Sequence, residues 1–106
     1  MTDTARIREL NDRFRQSGNG GRIMLTRGLV GRPDQPVILN RVRTFSEFDK
    51  DNDPHSEHDF GAFDHEGEKI FWKIDYYDRS LRAGSPNPAG PSVTTRVLTV
   101  MLADEY

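Results

Sequence analysis

Two strand-like runs joined by a short connection constrain the fold of this chain most. Residues 59–65 and 68–77 flank the dipeptide Glu66-Gly67. A two-residue connection that contains glycine is typical of a tight hairpin turn, so the pattern predicts two antiparallel strands. Because side chains alternate between the two faces of a strand, one face of the second run collects Ile70, Trp72, Ile74 and Tyr76. We expect this face to belong to the core.

Two other segments have the spacing of amphipathic helices. Over residues 4–17 apolar side chains recur at helical spacing, and candidate capping residues stand at both ends, namely Thr2, Thr4 and Gly18. A second helix is predicted over residues 35–46, which follow Asp34 and have Pro36 in the first turn.

The remaining segments complete a prediction of the fold. Residues 22–27 predict a third strand, and the proline- and glycine-rich residues 84–92 predict an extended surface loop. Residues 93–104 suit both helical and strand periodicity, but their length and Ser92 as a possible cap favour a helix. We therefore predict one α+β domain over residues 1–106, with an antiparallel sheet of about three strands packed against two or three helices.

Composition excludes several classes of protein. A chain of 106 residues suits one hydrophobic core. The lack of cysteine excludes disulfides, thiolate metal sites and cysteine nucleophiles. No apolar stretch approaches the roughly 18 residues that span a bilayer, so we expect a cytoplasmic protein without membrane association. Nucleotide-binding loops and serine-nucleophile motifs are not found in the sequence.

Charge is polarised along the chain. Residues 1–44 contain nine arginines and four acidic residues, whereas residues 45–78 contain eleven acidic residues and three lysines. The first part allows a nucleic-acid-binding alternative, with phosphate contacts from Arg6, Arg8, Arg13, Arg15, Arg22 and Arg27. Acidic residues at helical spacing from these arginines and a pI near 5.9 disfavour it.

The acidic segment, residues 47–59, is the most unusual part of the chain. Its spacing partly matches an EF-hand calcium loop, but Pro54 stands where that loop needs glycine and Phe60 where it needs a bidentate glutamate. A second interpretation is a divalent-metal site formed by His58, Asp59 and Asp75. The third is a polar loop whose aspartates cap turns.

The predicted hairpin has two further features of interest. It brings Asp59 near Asp75, which allows an acid pair for general acid–base chemistry, although pairing with Lys73 or an arginine is the more ordinary interpretation. Six aromatic residues lie within residues 60–77 and can serve either as core or as interface anchors. Tyr76 and Tyr77 point to opposite faces, so at least one is expected to be partly exposed.

Five blocks spread over nearly the whole chain carry a resemblance to a known family. They are RIRELND at 6–12, GGRIMLTRG at 20–28, EHDFGAF at 57–63, FWKIDYYD at 71–78 and TTRVLTVMLA at 94–103. They resemble a small bacterial family known as domain of unknown function 3768. The resemblance implies alphaproteobacterial origin, frequent carriage on plasmids or other mobile elements, and no assigned activity. It implies no catalytic residues.

Our leading hypothesis is a non-catalytic interaction protein that binds a basic protein partner. The residues expected to contact the partner are Glu47, Asp49, Asp51, Asp53, Glu57, Asp59 and Tyr77. With the mobile-element context that the resemblance implies, the partner is expected to belong to a bacterial nucleic-acid-binding or CRISPR-type defence system.

Three alternatives stay open. The first is a metal-dependent enzyme or metal-binding protein that uses His58, Asp59 and Asp75, and the second is nucleic-acid binding through the first helix. The third is that the arginines neutralise the acidic segment within the molecule. Apart from a possible divalent metal, we expect no cofactor.

Overall fold

The chain folds into two α-helices and one four-stranded sheet. The computed structural model describes residues 2–106, and within them the helices are α1, Asp3–Ser17, and α2, Gln35–Arg43. The strands are β1, Gly21–Leu25, β2, Phe60–His65, β3, Glu68–Tyr77, and β4, Thr95–Leu102. Short 3-10 turns lie before β4, at Pro91–Val93, and after it, at Ala103–Glu105. The predicted α+β class is confirmed.

The first helix forms where its capping residues predict. The Thr2 hydroxyl oxygen accepts a hydrogen bond of 3.1 Å from the amide of Ala5. α1 ends at Gly18, whose φ of 77° is left-handed and whose amide donates to the carbonyl of Phe14 at 2.8 Å. Glycine adopts this conformation readily because it has no Cβ. The predicted helix over residues 4–17 is therefore confirmed.

The second helix is shorter than the predicted residues 35–46. It starts after Asp34 and ends at Arg43. Beyond that residue the α-helical spacing stops, because the amide of Phe45 bonds to the carbonyl of Val42, three residues back and not four. Within residues 2–106, neither helix is long and apolar enough to span a bilayer.

The predicted hairpin, formed by β2 and β3, is confirmed in its register and its turn. His65 pairs with Glu68, and the pairing continues to Phe60 opposite Lys73. The turn residues Glu66 and Gly67 both have positive φ, 50° and 83°, which matches the twist that a two-residue hairpin requires.

The last segment corrects the sequence-based prediction. Residues 93–104, predicted as a helix, instead contain strand β4, so the sheet has four strands and not three. The strand order is β1-β4-β3-β2, with β4 parallel to β1 and antiparallel to β3. A central strand is apolar on both faces when both are shielded, and Val97, Leu98, Val100 and Met101 are all buried. Without polar alternation, the periodicity could not separate strand from helix.

Both α-helices pack on the same face of the sheet. Phe14 of α1 and Ile38 and Val42 of α2 lie in one hydrophobic cluster with the sheet residues Ile70, Trp72, Ile74, Leu98 and Val100. Within residues 2–106, no α-helix covers the opposite face, which we call the open face.

Candidate functional site

The acidic segment folds as tight turns that its own side chains hold together. Oδ1 of Asp49 accepts hydrogen bonds from the amides of Asp51 and Asn52, at 2.9 and 3.0 Å. The buried carboxylate of Asp53 accepts a 3.0 Å bond from the amide of His58. Aspartate suits this role because its short side chain reaches amides close by in the chain. The interpretation as turn caps is confirmed for these two aspartates.

Helix α1 fastens the acidic segment through His58. The ring Nδ1 lies 2.9 Å from Oδ1 of Asp12 on α1, and Nε2 lies 3.6 Å from Oδ2 of Asp53. The ring of Phe48 stacks on the imidazole with 3.7 Å between centroids. These contacts hold His58 at a φ of 54°, a conformation that residues other than glycine seldom adopt. A carboxylate therefore faces each of its ring nitrogens.

A buried polar network joins the acidic segment to the sheet. The hydroxyl of Tyr76 donates to Oε1 of Glu57 at 2.8 Å and accepts a 2.8 Å bond from Nδ2 of Asn11. Asn11 in turn accepts a 2.7 Å bond from Nε of Arg96. Burial, aided by Glu57, raises the pKa of the Tyr76 phenol, so the hydroxyl keeps its proton and remains a donor. Burial and then repulsion from Glu57 also raise the pKa of Asp59.

The predicted partner-binding residues divide among three environments. Exposed at the surface, and in no ion pair within residues 2–106, are Glu47, Asp49 and Asp51. Buried or partly buried are Asp53, Glu57 and Asp59. Tyr77 lies on the open face and Tyr76 on the covered face. Three of the six carboxylates of the acidic segment are therefore at least partly buried.

The three residues predicted as metal ligands lie apart. His58 contacts Asp12, whereas Asp75 pairs with Lys73 at 2.9 Å on the open face. Asp59 precedes a residue of the open face, so its side chain points towards the covered face. Within residues 2–106, the group that brings three ligand atoms within 4.8 Å of one another is Asp34, His65 and Glu66.

In that group, Asp34 already forms an ion pair with an arginine. Arg32 donates two hydrogen bonds to Asp34, at 3.0 and 2.8 Å, and one to Glu68 at 2.7 Å. Its guanidinium lowers the pKa of Asp34 to about 2. A divalent cation would be repelled by this fixed positive charge, so the group serves as an ion-pair network between the start of α2 and the hairpin. No local sequence pattern indicates it, because its members come from two short stretches, residues 32–34 and 65–68, that are far apart in the chain.

The open face carries a groove of about 620 Å³. Its floor is apolar, since Val97 and Met101 are buried there. Lys73 and Asp75 cross the groove as an ion pair, and this contact raises the pKa of Lys73. At the rim, Met24 is 55% exposed.

Aromatic residues extend this open face to one side. The ring centroids of Phe71 lie 5.2 Å from Phe60 and 5.8 Å from Tyr106, in edge-to-face contacts. Glu105 anchors the adjacent 3-10 turn. Its carboxylate accepts hydrogen bonds from the hydroxyl of Thr26 at 2.5 Å and from the amide of Gly28 at 2.9 Å. The aromatic residues of the hairpin therefore serve both roles, because Trp72 and Phe63 lie in the core while Phe60 and Phe71 lie outside it.

The arginines of α1 are largely engaged by neighbouring groups. Arg6 and Arg13 both pair with Glu9, at 3.2 and 3.0 Å. Arg8 donates to a carbonyl of the acidic segment at 3.0 Å, and Arg15 is buried. The helix thus offers fewer free guanidinium groups to a nucleic-acid backbone than its sequence indicates.

Comparison with known proteins identifies a family. The family model described as protein of unknown function (DUF3768) matches residues 4–105. Searches of curated proteins and of solved structures find no match to the chain. The resemblance seen in the five sequence blocks is confirmed over nearly the whole chain, and the protein belongs to the DUF3768 family.

Proposed function

We propose that the protein is a non-catalytic binding protein that docks another protein on its open face. The observation that carries this proposal is the groove of about 620 Å³, with its apolar floor and flanking aromatic residues. The floor residues are already shielded by their neighbours, so the apolar surface that a partner would remove from water lies at the rim, at Met24, Leu81 and Tyr106. Exposed apolar patches of this kind mark interaction sites.

The chemistry of the groove favours a protein as its occupant. Methionine and aromatic residues are enriched in protein interfaces, and Met24 and Tyr106 are 55% and 76% exposed in the free molecule. The paired charges of Lys73 and Asp75 offer donors and acceptors without a net charge. Because Asp75 raises the pKa of Lys73, the amine stays protonated at neutral pH and is a poor nucleophile. These features support binding rather than catalysis.

The exposed acids of the acidic segment favour a basic partner. Glu47, Asp49 and Asp51 create a local negative potential that attracts a positively charged protein over a distance of several ångströms. In this proposal the open face supplies most of the affinity, and the three acids increase the rate of encounter. The partner class that the family resemblance implies, a basic nucleic-acid-binding or defence protein, belongs to this proposal.

The test is co-purification from the native cell followed by affinity measurements with matched variants. We expect a stoichiometric partner whose affinity falls at least about tenfold in the double variant Met24→Ser, Tyr106→Ser, because both side chains lie on the open face. The control is the double variant Val30→Ser, Val37→Ser, which replaces apolar residues of similar exposure, 61% and 54%, that do not line the groove.

Two results would contradict the proposal. One is an unchanged affinity in the open-face variant, or an equal loss in the control. The other is the recovery of no stoichiometric partner from the native cell.

A further inference from the structure

A second groove, of about 490 Å³, lies where the end of α1 meets the starts of β1 and β4. Four arginines line it, and none of its described lining residues is acidic; the four are Arg13, Arg22, Arg79 and Arg96. Positive charges that converge on one cavity repel one another, so an anion placed among them is strongly attracted.

Arg96 supplies a buried positive charge that has only neutral partners. It is 3% exposed, and its guanidinium donates to Oδ1 of Asn11 at 2.7 Å and to the carbonyl of Pro88 at 2.6 Å. The ring of Tyr76 lies 5.2 Å from it. Burial lowers the pKa of Arg96 and Arg6 acts in the same direction, whereas Tyr76 and the carboxylate of Glu57 act in the opposite one. A buried cation without a carboxylate in direct contact is costly, and an anion in the groove would offset that cost.

The other three arginines line the same groove and are available to contact such an anion. Arg22 and Arg79 are exposed, and neither takes part in an ion pair within the described part of the chain. Arg13 pairs with Glu9 through one nitrogen and is otherwise exposed. Asn19 and Thr95 add neutral polar groups to the lining.

A glycine brings these elements close together. A Cβ placed on Gly21 would overlap the backbone carbonyl of Arg96 and would lie 2.8 Å from the ring of Phe14. Only glycine allows β1, β4 and α1 to approach this closely, and their approach sets the arginines around one cavity.

We propose that this groove binds a small phosphate-bearing anion, such as a pyrophosphate or phosphomonoester group. The planar guanidinium offers two parallel donors that match phosphate oxygens, and several guanidinium groups fit a multiply charged anion better than a single carboxylate. The volume of the groove lies in the range of small-molecule sites. The arginines converge on one cavity instead of following a line, which favours a small ligand over a nucleic-acid strand.

The site is separate from the docking face, with which it shares only Arg22. Arg79 lines the second groove but not the groove of the open face. Its substitution therefore tests the anion site without altering the open face.

The experiment is a titration of the full chain with inorganic pyrophosphate at constant ionic strength, followed by two-dimensional amide NMR. We expect saturable shifts at the amides of the groove, those of Gly20, Gly21, Thr94 and Thr95. Arg79→Gln and Arg22→Gln should each raise the Kd about tenfold, because each removes a charge-assisted contact. Arg27→Gln, an exposed arginine outside the groove, should leave the Kd within about twofold.

Three results would overturn the proposal. The first is no saturable shift at millimolar pyrophosphate. The second is an equal weakening by Arg27→Gln, which would indicate diffuse attraction to the whole molecule. The third is tighter binding of a single-stranded oligonucleotide, with a steep salt dependence, which would identify a nucleic-acid surface instead.

Discussion

The guanidinium of Arg15 lies in the interior and donates to three backbone carbonyls at and beyond the end of α2. The distances are 2.9, 3.1 and 3.0 Å, to Val42, Arg43 and Phe45. It also contacts Asp12 at 3.2 Å and lies 5.1 Å from the ring of Trp72. The last carbonyls of a helix have no partners within the helix, and a cation placed there also interacts favourably with the helix dipole. Arg15 thus serves as the C-terminal cap of another helix.

We expect Arg15→Lys to lower the free energy of unfolding by about 3 kcal/mol. Nη1 of Arg15 serves the three carbonyls while Nη2 donates to Asp12. Lysine has a single nitrogen, which cannot reach both groups and is more strongly hydrated than a guanidinium. Urea denaturation measures this change. The matched control is Arg13→Lys, whose side chain is 66% exposed and whose replacement should change stability by less than about 0.5 kcal/mol. A loss below about 1 kcal/mol for Arg15→Lys would show that the carbonyls find other partners.

The acids of the acidic segment show why the candidate site was only partly predictable. The turn caps of Asp49 and Asp53 depend on neighbours in the chain, so their residue types already indicate them. The bonds of Glu57 depend on Tyr76, and Asn11 reaches the carbonyl of Glu57 from the distant first helix. No local pattern separates an acid with such a partner from a solvated one.

Among the elements, the hairpin β2–β3 was predictable because its signals are local, and β4 was not because its environment depends on distant parts of the chain. The hairpin places its turn chemistry and its alternation within one short stretch. Strand β4 acquires its environment from β1 and β3 on either side, from the helices on one face and from the open groove on the other. Its parallel pairing with β1 also corrects the expectation of a wholly antiparallel sheet.

Gly61 allows β2 to pack against the core, and its substitution tests that packing. A Cβ on this residue would overlap the indole of Trp72 and would lie 2.8 Å from the ring of Phe45. We expect Gly61→Ala to lower the free energy of unfolding by about 2 kcal/mol, because both rings are buried and cannot yield easily.

The matched control is Gly84→Ala, where the nearest atom to a new Cβ, the carbonyl oxygen of Tyr76, lies at an ordinary 3.9 Å. This variant should stay within about 0.5 kcal/mol of the parent protein in thermal or urea unfolding. Equal losses in the two alanine variants would mean that backbone flexibility, and not crowding at Trp72, decides the stability.

Over the whole molecule, the charge polarity of the sequence becomes three separate features. Contacts from Asp12 and Arg8 bind the acidic segment to α1. The exposed acids form a negative surface, defined by Glu47, Asp49 and Asp51. Four arginines surround the second groove. A net charge of −2 therefore describes the molecule poorly, since opposite charges lie on different surfaces.

The negative surface should act on the rate of partner binding more than on its strength. We expect the triple variant Glu47→Gln, Asp49→Asn, Asp51→Asn to associate with a basic partner about tenfold more slowly at low ionic strength, with the difference vanishing at high salt. Stopped-flow or surface-binding kinetics measure this rate. Asparagine at position 49 retains the side-chain oxygen that caps the turn.

A second triple variant with the same change in net charge provides the control. It replaces other exposed acids, namely Asp3→Asn, Glu66→Gln and Asp104→Asn. If both variants slowed association equally, total charge and not the acidic segment would be responsible. An unchanged rate in the first variant would contradict a basic partner steered by these residues.

The parallel pairing of β1 with β4 has a consequence for the time course of synthesis. Gly21 pairs with Arg96, so β1 leaves the ribosome long before its pairing partner is made. At about 5–20 residues per second, this interval lasts several seconds, during which the β2–β3 hairpin can already form while β1 waits. Insertion of Thr95–Leu102 between β1 and β3 is therefore the step that completes the sheet.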